Sequence, residues 1–431
     1  MAPRGTERRV SDPKVVVVGG GVVGVSCAYY LARGGARVVV LERERLGAGA
    51  SWGNAGTATP GHPPLNKPGR IAKAIRQMLD PTSPLYIHPS WNPGLWRWLI
   101  GFARYCTKAH VERAVRVMAP LGMHSLALFD KLIVEERIEC EYRREGYYEV
   151  CATEAGLAEA REEASLIVPH GYRPETLDGD ELRRREPALG SYARGGVFHP
   201  EAASMDPALF LERFAQVTVR HGVEIREGVE VKSVVVERGR ATGVTLAGGV
   251  SGSGDGVESA DAVVLATGPV SLELARRLGT RLPVQPGKGY HRDIPIGPNG
   301  APPLRIACVL NEAAVFCLPM ANVVRFAGTM EFSGANRVMR RPRLEQLTRS
   351  GRLYFPKIGT ARPLSEWCGL RPMSVDGLPI VGALPGVEGV SVATGHGMLG
   401  LTLAPVTGEL IANLVLGRGD ARLEGVSPAR F

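Results

Sequence analysis

Three glycines near the start of the chain have the spacing of a loop that binds a dinucleotide. Gly19, Gly21 and Gly24 form G-x-G-x-x-G directly after the β-branched run at 14–18. The first glycine of such a loop permits a tight turn, the second lets the backbone approach a pyrophosphate, and the third lets helix and strand pack closely. The N-terminus of the following helix offers unpaired N–H groups to the phosphates. Glu42, 18 residues after Gly24, stands where a carboxylate accepts hydrogen bonds from ribose hydroxyls.

A strand, a helix and a second strand must position these residues. The valine run at 14–18 predicts a buried strand, the apolar periodicity at 22–34 a helix, and 37–42 a second strand. Together they make a βαβ unit of the usual size. The alternative is a glycine-rich turn in another α/β fold, and the position of Glu42 argues against it. The motif alone does not distinguish NAD from FAD.

Two later segments repeat the pattern of a buried strand followed by glycine. Residues 260–268 predict a strand that ends in Ala-Thr-Gly, and 390–394 predict another. The second is followed by a glycine-rich loop at 395–400 and by a helix expected from Leu401 onward. Such a loop can bring backbone N–H groups and a helix N-terminus against an electron-rich ring, where the dipole stabilises negative charge.

The intervening segments predict a second domain. Residues 94–165 have the apolar spacing of helices, Asp206 is expected to cap a helix at 207–222, and 248–256 predict a hairpin tip or loop. Nucleotide-fold elements occur at the beginning, middle and end of the chain, which predicts a discontinuous cofactor domain. The predicted cofactor domain comprises residues 12–65, 200–283 and 368–420, and the substrate domain comprises residues 66–199 and 284–367.

The segments at 42–61, 266–268, 369–382 and 387–417 together resemble the flavin-dependent D-amino-acid oxidase superfamily, in particular the bacterial D-amino-acid dehydrogenases of the small-subunit type. The resemblance extends over nearly the whole chain. It implies an α/β (α+β) fold in which a Rossmann-like FAD-binding domain is interleaved with a mixed-sheet substrate domain. Covalent flavin links to cysteine occur in sarcosine-type relatives, but Cys368 does not match that arrangement well, so noncovalent FAD is expected.

The glycine motif and the resemblance together assign the FAD contacts. They are expected at Gly19, Gly20, Gly21, Val22, Val23, Gly24, Glu42, Arg43, Ser51, Asn54, Ala55, Gly56, Val231, Ala266, Thr267, Gly268, Gly395, His396, Gly397, Met398 and Leu399. His396 could instead be a packing residue within its loop. No metal site is expected.

Arg371 is the expected substrate anchor. A planar guanidinium grips a carboxylate with two parallel N–H···O bonds, and the resemblance gives the arginine of this Arg-Pro pair that role. Tyr290 and His291, expected after a Gly-x-Gly turn, and His62 are further pocket candidates. Each of these three is more often structural than functional. No protein group is expected to act in catalysis, because the hydride passes directly to the flavin.

The expected reaction is oxidation of a D-amino acid to the imino acid by hydride transfer to flavin N5, followed by hydrolysis to a 2-oxo acid and ammonia. The alternatives within this family are an oxidase or dehydrogenase of glycine, sarcosine, D-proline or hydroxyproline. A flavin-binding assembly subunit is the alternative outside catalysis. The expected partners are a small amino-acid substrate and an electron acceptor, which could be a quinone, an electron-transfer protein or O2.

Composition excludes several other classes of protein. The formal charge is +9, but the basic residues are dispersed and not interleaved with aromatic residues, so a nucleic-acid role is not expected. Seven cysteines without a CxxC pair predict reduced thiols in a cytoplasmic protein. The polar residues 1–14 predict no signal peptide. The apolar stretch at 15–32 predicts a strand and a helix, not a membrane span.

One segment suggests peripheral contact with a membrane, at the inner face of the cell membrane. Trp91, Trp96, Trp98, Leu99, Ile100 and Phe102 precede a set of basic residues, namely Arg104, Lys108, Arg113 and Arg116. An apolar and basic arrangement of this kind suits an interface with anionic lipid. The alternative is an amphipathic helix packed on its own domain.

Overall fold

The structure is a computed structural model and describes residues 12–62, 64–78, 83–89, 91–247 and 256–431. The predicted hairpin tip at 248–256 and the polar segment at 1–14 lie mostly outside these residues. The helices are α1 (Val22–Arg33), α2 (Arg70–Met78), α3 (Pro93–Arg104), α4 (Lys108–Glu135), α5 (Glu154–Ile167), α6 (Gly179–Arg185), α7 (Pro207–Arg220), α8 (Ser271–Arg277), α9 (Arg341–Tyr354) and α10 (Ala404–Val415).

The strands of the described residues form four sheets. Their bounds are β1 (Lys14–Val18), β2 (Arg37–Glu42), β3 (Thr57–Ala58), β4 (Leu85–Ile87), β5 (Tyr147–Cys151), β6 (Glu175–Asp178), β7 (Gly195–His199), β8 (Ala203–Ser204), β9 (Glu224–Glu227), β10 (Val231–Glu237), β11 (Arg240–Leu246), β12 (Val257–Ser259), β13 (Ala262–Leu265), β14 (Val284–Pro295), β15 (Ala307–Leu310), β16 (Val315–Pro319), β17 (Val323–Phe332), β18 (Ser365–Ser374), β19 (Ile380–Ala383) and β20 (Val390–Thr394).

The first sheet has the Rossmann-like form that the sequence predicts. Its order is β19-β20-β13-β1-β2-β9, and all its strands run parallel except β19. Val16 of β1 pairs with Val39 on one side and Val263 on the other. The valine run of β1 is buried, because α1 and α10 cover one face of the sheet and a second apolar cluster covers the other. Burial on both faces explains why these strands are continuously apolar.

The second large sheet is mixed and carries the predicted substrate side. Its order is β18-β14-β17-β16-β15-β5-β7-β6, and β4 pairs with β17. Helix α9 packs beside β14 and β17, so their apolar side chains are buried between helix and sheet. Strand β18 crosses the predicted boundary at 367/368, since its ten residues continue one pairing with β14. The division into domains stays a prediction.

Two local expectations were wrong. The segment 287–289 is not a turn but lies inside β14, because its backbone pairs with β18 on one side and β17 on the other. The C-terminal helix begins at Ala404, not at Leu401, because turns occupy the three preceding residues. The expected cap of α7 is present: Asp206 Oδ1 accepts from the N–H groups of Ala208 and Leu209.

Within the described residues, α4 alone is long and apolar enough to cross a membrane, judged by length and composition. Its apolar side chains pack into three interior clusters: Met118 lies with residues of α1 and α10, Phe129 with residues of α1 and α7, and Ala119 with Ile167 and Tyr172. Ser125 Oγ of α4 donates to the carbonyl oxygen of Thr402 at 2.6 Å. These contacts are those of a core helix.

Candidate active site

A large cleft lies between the carboxyl ends of the parallel strands and one face of the mixed sheet. It encloses about 1870 Å³ of space, counting the part open to solvent. The ends of β1, β2, β13 and β20 form one wall, and residues of β14, β16, β17 and β18 form the other. Ligands of open α/β sheets bind at the carboxyl ends of the strands.

The glycine motif shapes the first wall through backbone contacts. Gly19 has a φ of +108°, and a Cβ there would lie 2.6 Å from the carbonyl oxygen of Ala266. A Cβ on Gly24 would lie 2.0 Å from the carbonyl oxygen of Gly19, so helix and strand could not pack as they do. Gly21 and Val23 line the cleft, and their N–H groups have no acceptor in the described parts of the chain. This is the arrangement that receives a pyrophosphate.

Glu42 organises the turn at the end of β2. Its Oε2 accepts from the N–H of Gly20 at 2.7 Å, and its Oε1 accepts from the N–H of Glu44 at 2.9 Å. Each carboxylate oxygen keeps a second lone pair, and both Glu42 and Arg43 line the cleft. A ribose hydroxyl can therefore still donate to Glu42.

The loop after β2 runs along the cleft, and Ser51, Asn54 and Ala55 line it. Ser51 Oγ accepts from the N–H of Val22 at 3.0 Å and so caps α1. Gly53 is required by packing, since a Cβ there would lie 2.2 Å from the ring of Trp367. This contact explains why position 53 is glycine.

The segments after β13 and β20 close the wall. Thr267 Oγ1 lies 2.9 Å from Ser271 Oγ, and Thr394 Oγ1 donates to the carbonyl oxygen of Gly268 at 2.7 Å. Ala266, Thr267 and Gly268 line the cleft, as does Val231 at the start of β10.

The C-terminal loop presents unpaired donors. Met398 and Gly400 line the cleft, and neither N–H has an acceptor among the residues described. His396 lines the cleft, but its Nε2 lies 3.0 Å from Thr407 Oγ1 of α10. Burial lowers the pKa of His396 to about 4, so its ring is neutral at pH 7. Backbone donors of this kind stabilise the negative charge of a reduced flavin.

These walls fit FAD. Backbone N–H groups with no acceptor among the described residues occur both at the glycine motif, where a pyrophosphate would bind, and at the C-terminal loop, where the flavin ring would bind. Residues at both of these places line the same cleft. Gly20, Gly24, Gly56, Gly395 and His291 belong to the predicted set but do not line the cleft; they lie behind the residues that do.

Arg371 of β18 points into the same cleft. Its Nη1 donates to the carbonyl oxygen of Thr329 at 2.8 Å, and no carboxylate of the described chain pairs with it. Burial lowers the pKa of Arg371 to about 10, so the side chain is still a cation at pH 7. An enclosed cation without a counter-ion favours an anionic ligand.

Two features of the sheet create the space and the contact for Arg371. A Cβ on Gly289 would lie 2.2 Å from Cζ of Arg371, so only glycine leaves room for the guanidinium. Thr329 has a φ of +61° and lies where the pairing of β17 with β14 is irregular. Such a bulge re-aims the backbone, and here it turns the Thr329 carbonyl toward Arg371.

The other substrate candidates have different surroundings. Tyr290 lines the cleft, but its hydroxyl donates to Glu331 Oε2 at 2.9 Å. His291 is fully buried, and its Nδ1 donates to the carbonyl oxygen of Gly53 at 2.9 Å. His62 lines both the main cleft and a smaller pocket beside it. The structure thus places His62 and Tyr290 at the cleft with Arg371, and His291 behind the wall.

Sequence reasoning missed several residues of the second wall. Trp367, Phe316 and Arg337 line the cleft, and Arg337 makes a paired contact with Glu44 at 2.8 and 3.0 Å. Nothing in the sequence around Arg337 signals this role. The glycines of β14 and β18 did carry a signal, because glycine inside a strand marks a close approach of other groups.

Cys368 lies on β18 beside the site but not in it. Its Sγ donates to the carbonyl oxygen of Arg337 at 3.1 Å, and burial raises the pKa of its thiol. A buried thiol of raised pKa is a poor nucleophile. This geometry supports noncovalent FAD, which stays a prediction.

The fold and the cleft together define a dinucleotide-dependent oxidoreductase. Residues 14–414 match the family described as FAD dependent oxidoreductase, and the chain belongs to this family. It is 38% identical over 428 residues to the D-amino acid dehydrogenase of Methylobacterium nodulans, covering 97% of this chain and 99% of that protein. It is 32% identical over 426 residues to the D-amino acid dehydrogenase of Paramagnetospirillum magneticum, with the same shares covered.

Solved structures share the fold. The glycine oxidase of Geobacillus kaustophilus superposes with a TM-score of 0.77 at 24% identity, covering 97% of this chain and 99% of that one. The L-proline dehydrogenase of P. horikoshii superposes with a TM-score of 0.75 at 18% identity, covering 98% of both chains. The predicted fold class, the enzyme class and the dependence on FAD are therefore confirmed.

Proposed function

We propose that this protein is a D-amino-acid dehydrogenase that binds FAD noncovalently along the cleft and oxidises the carbon bearing the amino group. The observation that carries the proposal is Arg371, a cation enclosed in the cleft without a carboxylate partner among the described residues. The curated relatives named above supply the substrate class. The cofactor domain is proposed to comprise residues 12–65, 200–283 and 368–420, with the remainder of 66–367 as the substrate domain.

The protein's own groups position the substrate. The guanidinium of Arg371 has five N–H donors, of which one is used by Thr329; others remain for a bidentate grip on a carboxylate. Phe316 and Ala327 line the same wall, and apolar side chains that exclude water strengthen such an ion pair. FAD, when bound, would supply the flavin ring that accepts the hydride from the amino-bearing carbon of the substrate. Water then hydrolyses the imino acid to a 2-oxo acid and ammonia.

Removal of the guanidinium tests this function. Arg371→Ala leaves the substrate carboxylate without its charged partner, which typically costs roughly 2–5 kcal/mol. Arg371→Lys should restore only part of the rate, because a point charge does not reproduce the planar fork. The measurement is anaerobic reduction of the flavin by a D-amino acid, alongside FAD bound per chain. Normal reduction kinetics in Arg371→Ala, with full FAD content, would contradict the proposal.

The electron acceptor is proposed to lie at a membrane, with the enzyme on its cytoplasmic face. Trp91, Trp96 and Ile100 are 91%, 45% and 58% exposed, and we call them the apolar patch. Trp98, by contrast, is buried, and its Nε1 donates to the carbonyl oxygen of Met373 at 3.1 Å. Leu99 and Phe102 pack partly into the same interior cluster, so three of the six expected residues form the exposed face.

Charge near the patch supports this placement. Five basic residues on α3 and α4 have exposed side chains, and none has an ion-pair partner among the described residues. They are Arg97, Arg104, Lys108, Arg113 and Arg116. Exposed tryptophans flanked by unpaired cations suit the surface of an anionic bilayer.

Flotation with anionic liposomes at low salt tests the membrane contact. The wild-type protein should float with the vesicles, and a variant with serine at all three positions of the apolar patch should not. Val134→Ser, which alters a side chain 76% exposed on α4, is the matched control and should float normally. Absence of the wild-type protein from the vesicle fraction would contradict the contact.

A further inference from the structure

Two side chains of the mixed sheet hold carbonyl groups of the loop that lines the cleft. His291 Nδ1 donates to the carbonyl oxygen of Gly53 at 2.9 Å. Arg325 Nη1 donates to the carbonyl oxygen of Asn54, also at 2.9 Å. His291 lies on β14 and Arg325 on the adjacent β17. The loop is thereby tied to the wall opposite the glycine motif.

Arg325 is itself fixed by a buried carboxylate. Asp293 accepts from Arg325 Nε at 2.8 Å and from Nη2 at 3.0 Å, and it also accepts from Ser365 Oγ at 2.6 Å. Arg325 is 4% exposed and Asp293 7% exposed. Burial alone would raise the pKa of Asp293, but the hydrogen bonds and charge of Arg325 outweigh it, and the pKa is lowered. The carboxylate therefore stays ionised and holds the guanidinium in one orientation.

His291 completes the network as a neutral ring. Burial and, to a smaller extent, the charge of Arg325 lower the pKa of His291 to about 4. Its ring stacks on Trp367 with centroids 5.3 Å apart. Because Nδ1 faces a carbonyl oxygen, the single proton of the neutral ring resides on that nitrogen.

The direction of one carbonyl fixes the direction of the next N–H. A trans peptide is planar, with its C=O and N–H pointing to opposite sides, and the described chain has no cis peptide. The Asn54 carbonyl points to Arg325, so the N–H of Ala55 points away from the sheet. Ala55 lines the cleft, and no described residue accepts from its N–H.

We propose that the buried Asp293–Arg325 pair, with His291, positions the loop so that the Ala55 N–H is a donor to the ring of the bound cofactor. Neither Asp293 nor Arg325 lines the cleft, so both are positioning residues. A donor that meets N1 or a carbonyl oxygen of the ring favours the reduced form, because these atoms carry its added negative charge. The pair thus sets the reduction potential of the flavin and slows FAD release. The inference rests on the proposed placement of FAD along this loop and is independent of the substrate.

Arg325→Lys tests the proposal with the charge retained. A single ammonium keeps the attraction to Asp293 but cannot bond both Asp293 and the Asn54 carbonyl in the geometry of the fork. The matched control is Arg292→Lys. Arg292 is 6% exposed on the same sheet and pairs with Glu366 at 2.8 Å, but it makes no contact with the loop.

The measurements are the midpoint potential of the purified holoprotein and its rate of FAD release on dilution, both without any amino acid. In Arg325→Lys we expect the ratio of affinities for reduced and oxidised flavin to fall about tenfold, which lowers the two-electron potential by about 30 mV. FAD release should accelerate about tenfold or more. Arg292→Lys should lower the melting temperature and leave potential and release rate at the wild-type values.

Two results would overturn the proposal. One is a wild-type potential in Arg325→Lys, and the other is an equal shift in Arg292→Lys, which would mark a general effect of loosening the sheet. If Arg325→Lys does not yield folded holoprotein, Ser365→Ala is used instead. This change removes one hydrogen bond to Asp293 without leaving a buried charge unpaired. A shift of the same sign is then expected, and an unchanged potential would reject the positioning role.

Discussion

Gly289→Ala should impair substrate binding without touching the substrate. The added methyl would lie 2.2 Å from Cζ and from Nη1 of Arg371, far inside van der Waals contact. The guanidinium is the end of a flexible side chain, whereas the methyl is fixed to β14, which pairs with strands on both sides. The guanidinium must therefore move. We expect it to lose either its bond to the Thr329 carbonyl or its alignment with the substrate carboxylate.

The size of the effect follows from the hydrogen bonds that Arg371 would lose. A hydrogen bond to a charged group contributes roughly 1.5–3 kcal/mol. Loss of one of the two hydrogen bonds between Arg371 and the substrate carboxylate should therefore lower the efficiency of flavin reduction about 10- to 150-fold. The FAD content should be unchanged, because Gly289 lies on the wall opposite the glycine motif.

A double-mutant cycle provides the decisive assay. If Gly289→Ala acts only by displacing Arg371, it should have almost no further effect in the Arg371→Ala background, because contacting residues are not additive. The four proteins are compared by stopped-flow anaerobic reduction at several concentrations of a D-amino acid. Equal effects of Gly289→Ala in both backgrounds would refute the reasoning and point to a general distortion of β14.

The remaining predictions concern the cofactor and acid stability. Gly21→Val should fold normally, because the φ of −75° suits valine and the nearest atom to an added Cβ is Ser51 Oγ at 3.2 Å. The variant should bind no FAD, because the side chain blocks the approach of the pyrophosphate. Full FAD content in the purified variant would contradict this prediction. The pKa of His396 in the folded protein is lowered to about 4, so in the unfolded chain the imidazole takes up a proton at higher pH than in the folded protein. The free energy of unfolding should therefore decrease as pH falls from about 6.5 to 4. The contribution is up to about 3 kcal/mol, and His396→Gln should show a shallower fall of the unfolding free energy across that range.

The cofactor side of the fold was predictable because local sequence determines it. The valine run at 14–18, the glycine motif and Glu42 each specify a strand end, a turn or a helix start through short-range geometry. The unpaired donors of the C-terminal loop likewise follow from glycines next to a strand. The helix start was expected three residues early, because apolar periodicity alone does not distinguish a turn from the first turn of a helix.

The substrate side could not be read in the same way, because its contacts join distant parts of the chain. Arg371, Gly289 and Thr329 meet only through the pairing of β14 with β17 and β18. The same pairing places His291, a candidate for the substrate pocket, behind the wall of the cleft, where it contacts Gly53. Arg337 reaches Glu44 across 293 residues of sequence. Such partners depend on sheet order, which no local pattern specifies.

We propose that the enzyme oxidises the amino-bearing carbon of D-amino acids whose carboxylate is bound by Arg371. The most direct test is anaerobic bleaching of the flavin absorbance by a panel of D-amino acids, their L-enantiomers, glycine, sarcosine and D-hydroxyproline, with oxygen uptake measured separately. We predict rapid bleaching by one or more D-amino acids, slow or no bleaching by the L-enantiomers, and little oxygen uptake. Rapid bleaching by glycine, sarcosine or an L-amino acid, with none by any D-amino acid, would contradict the account.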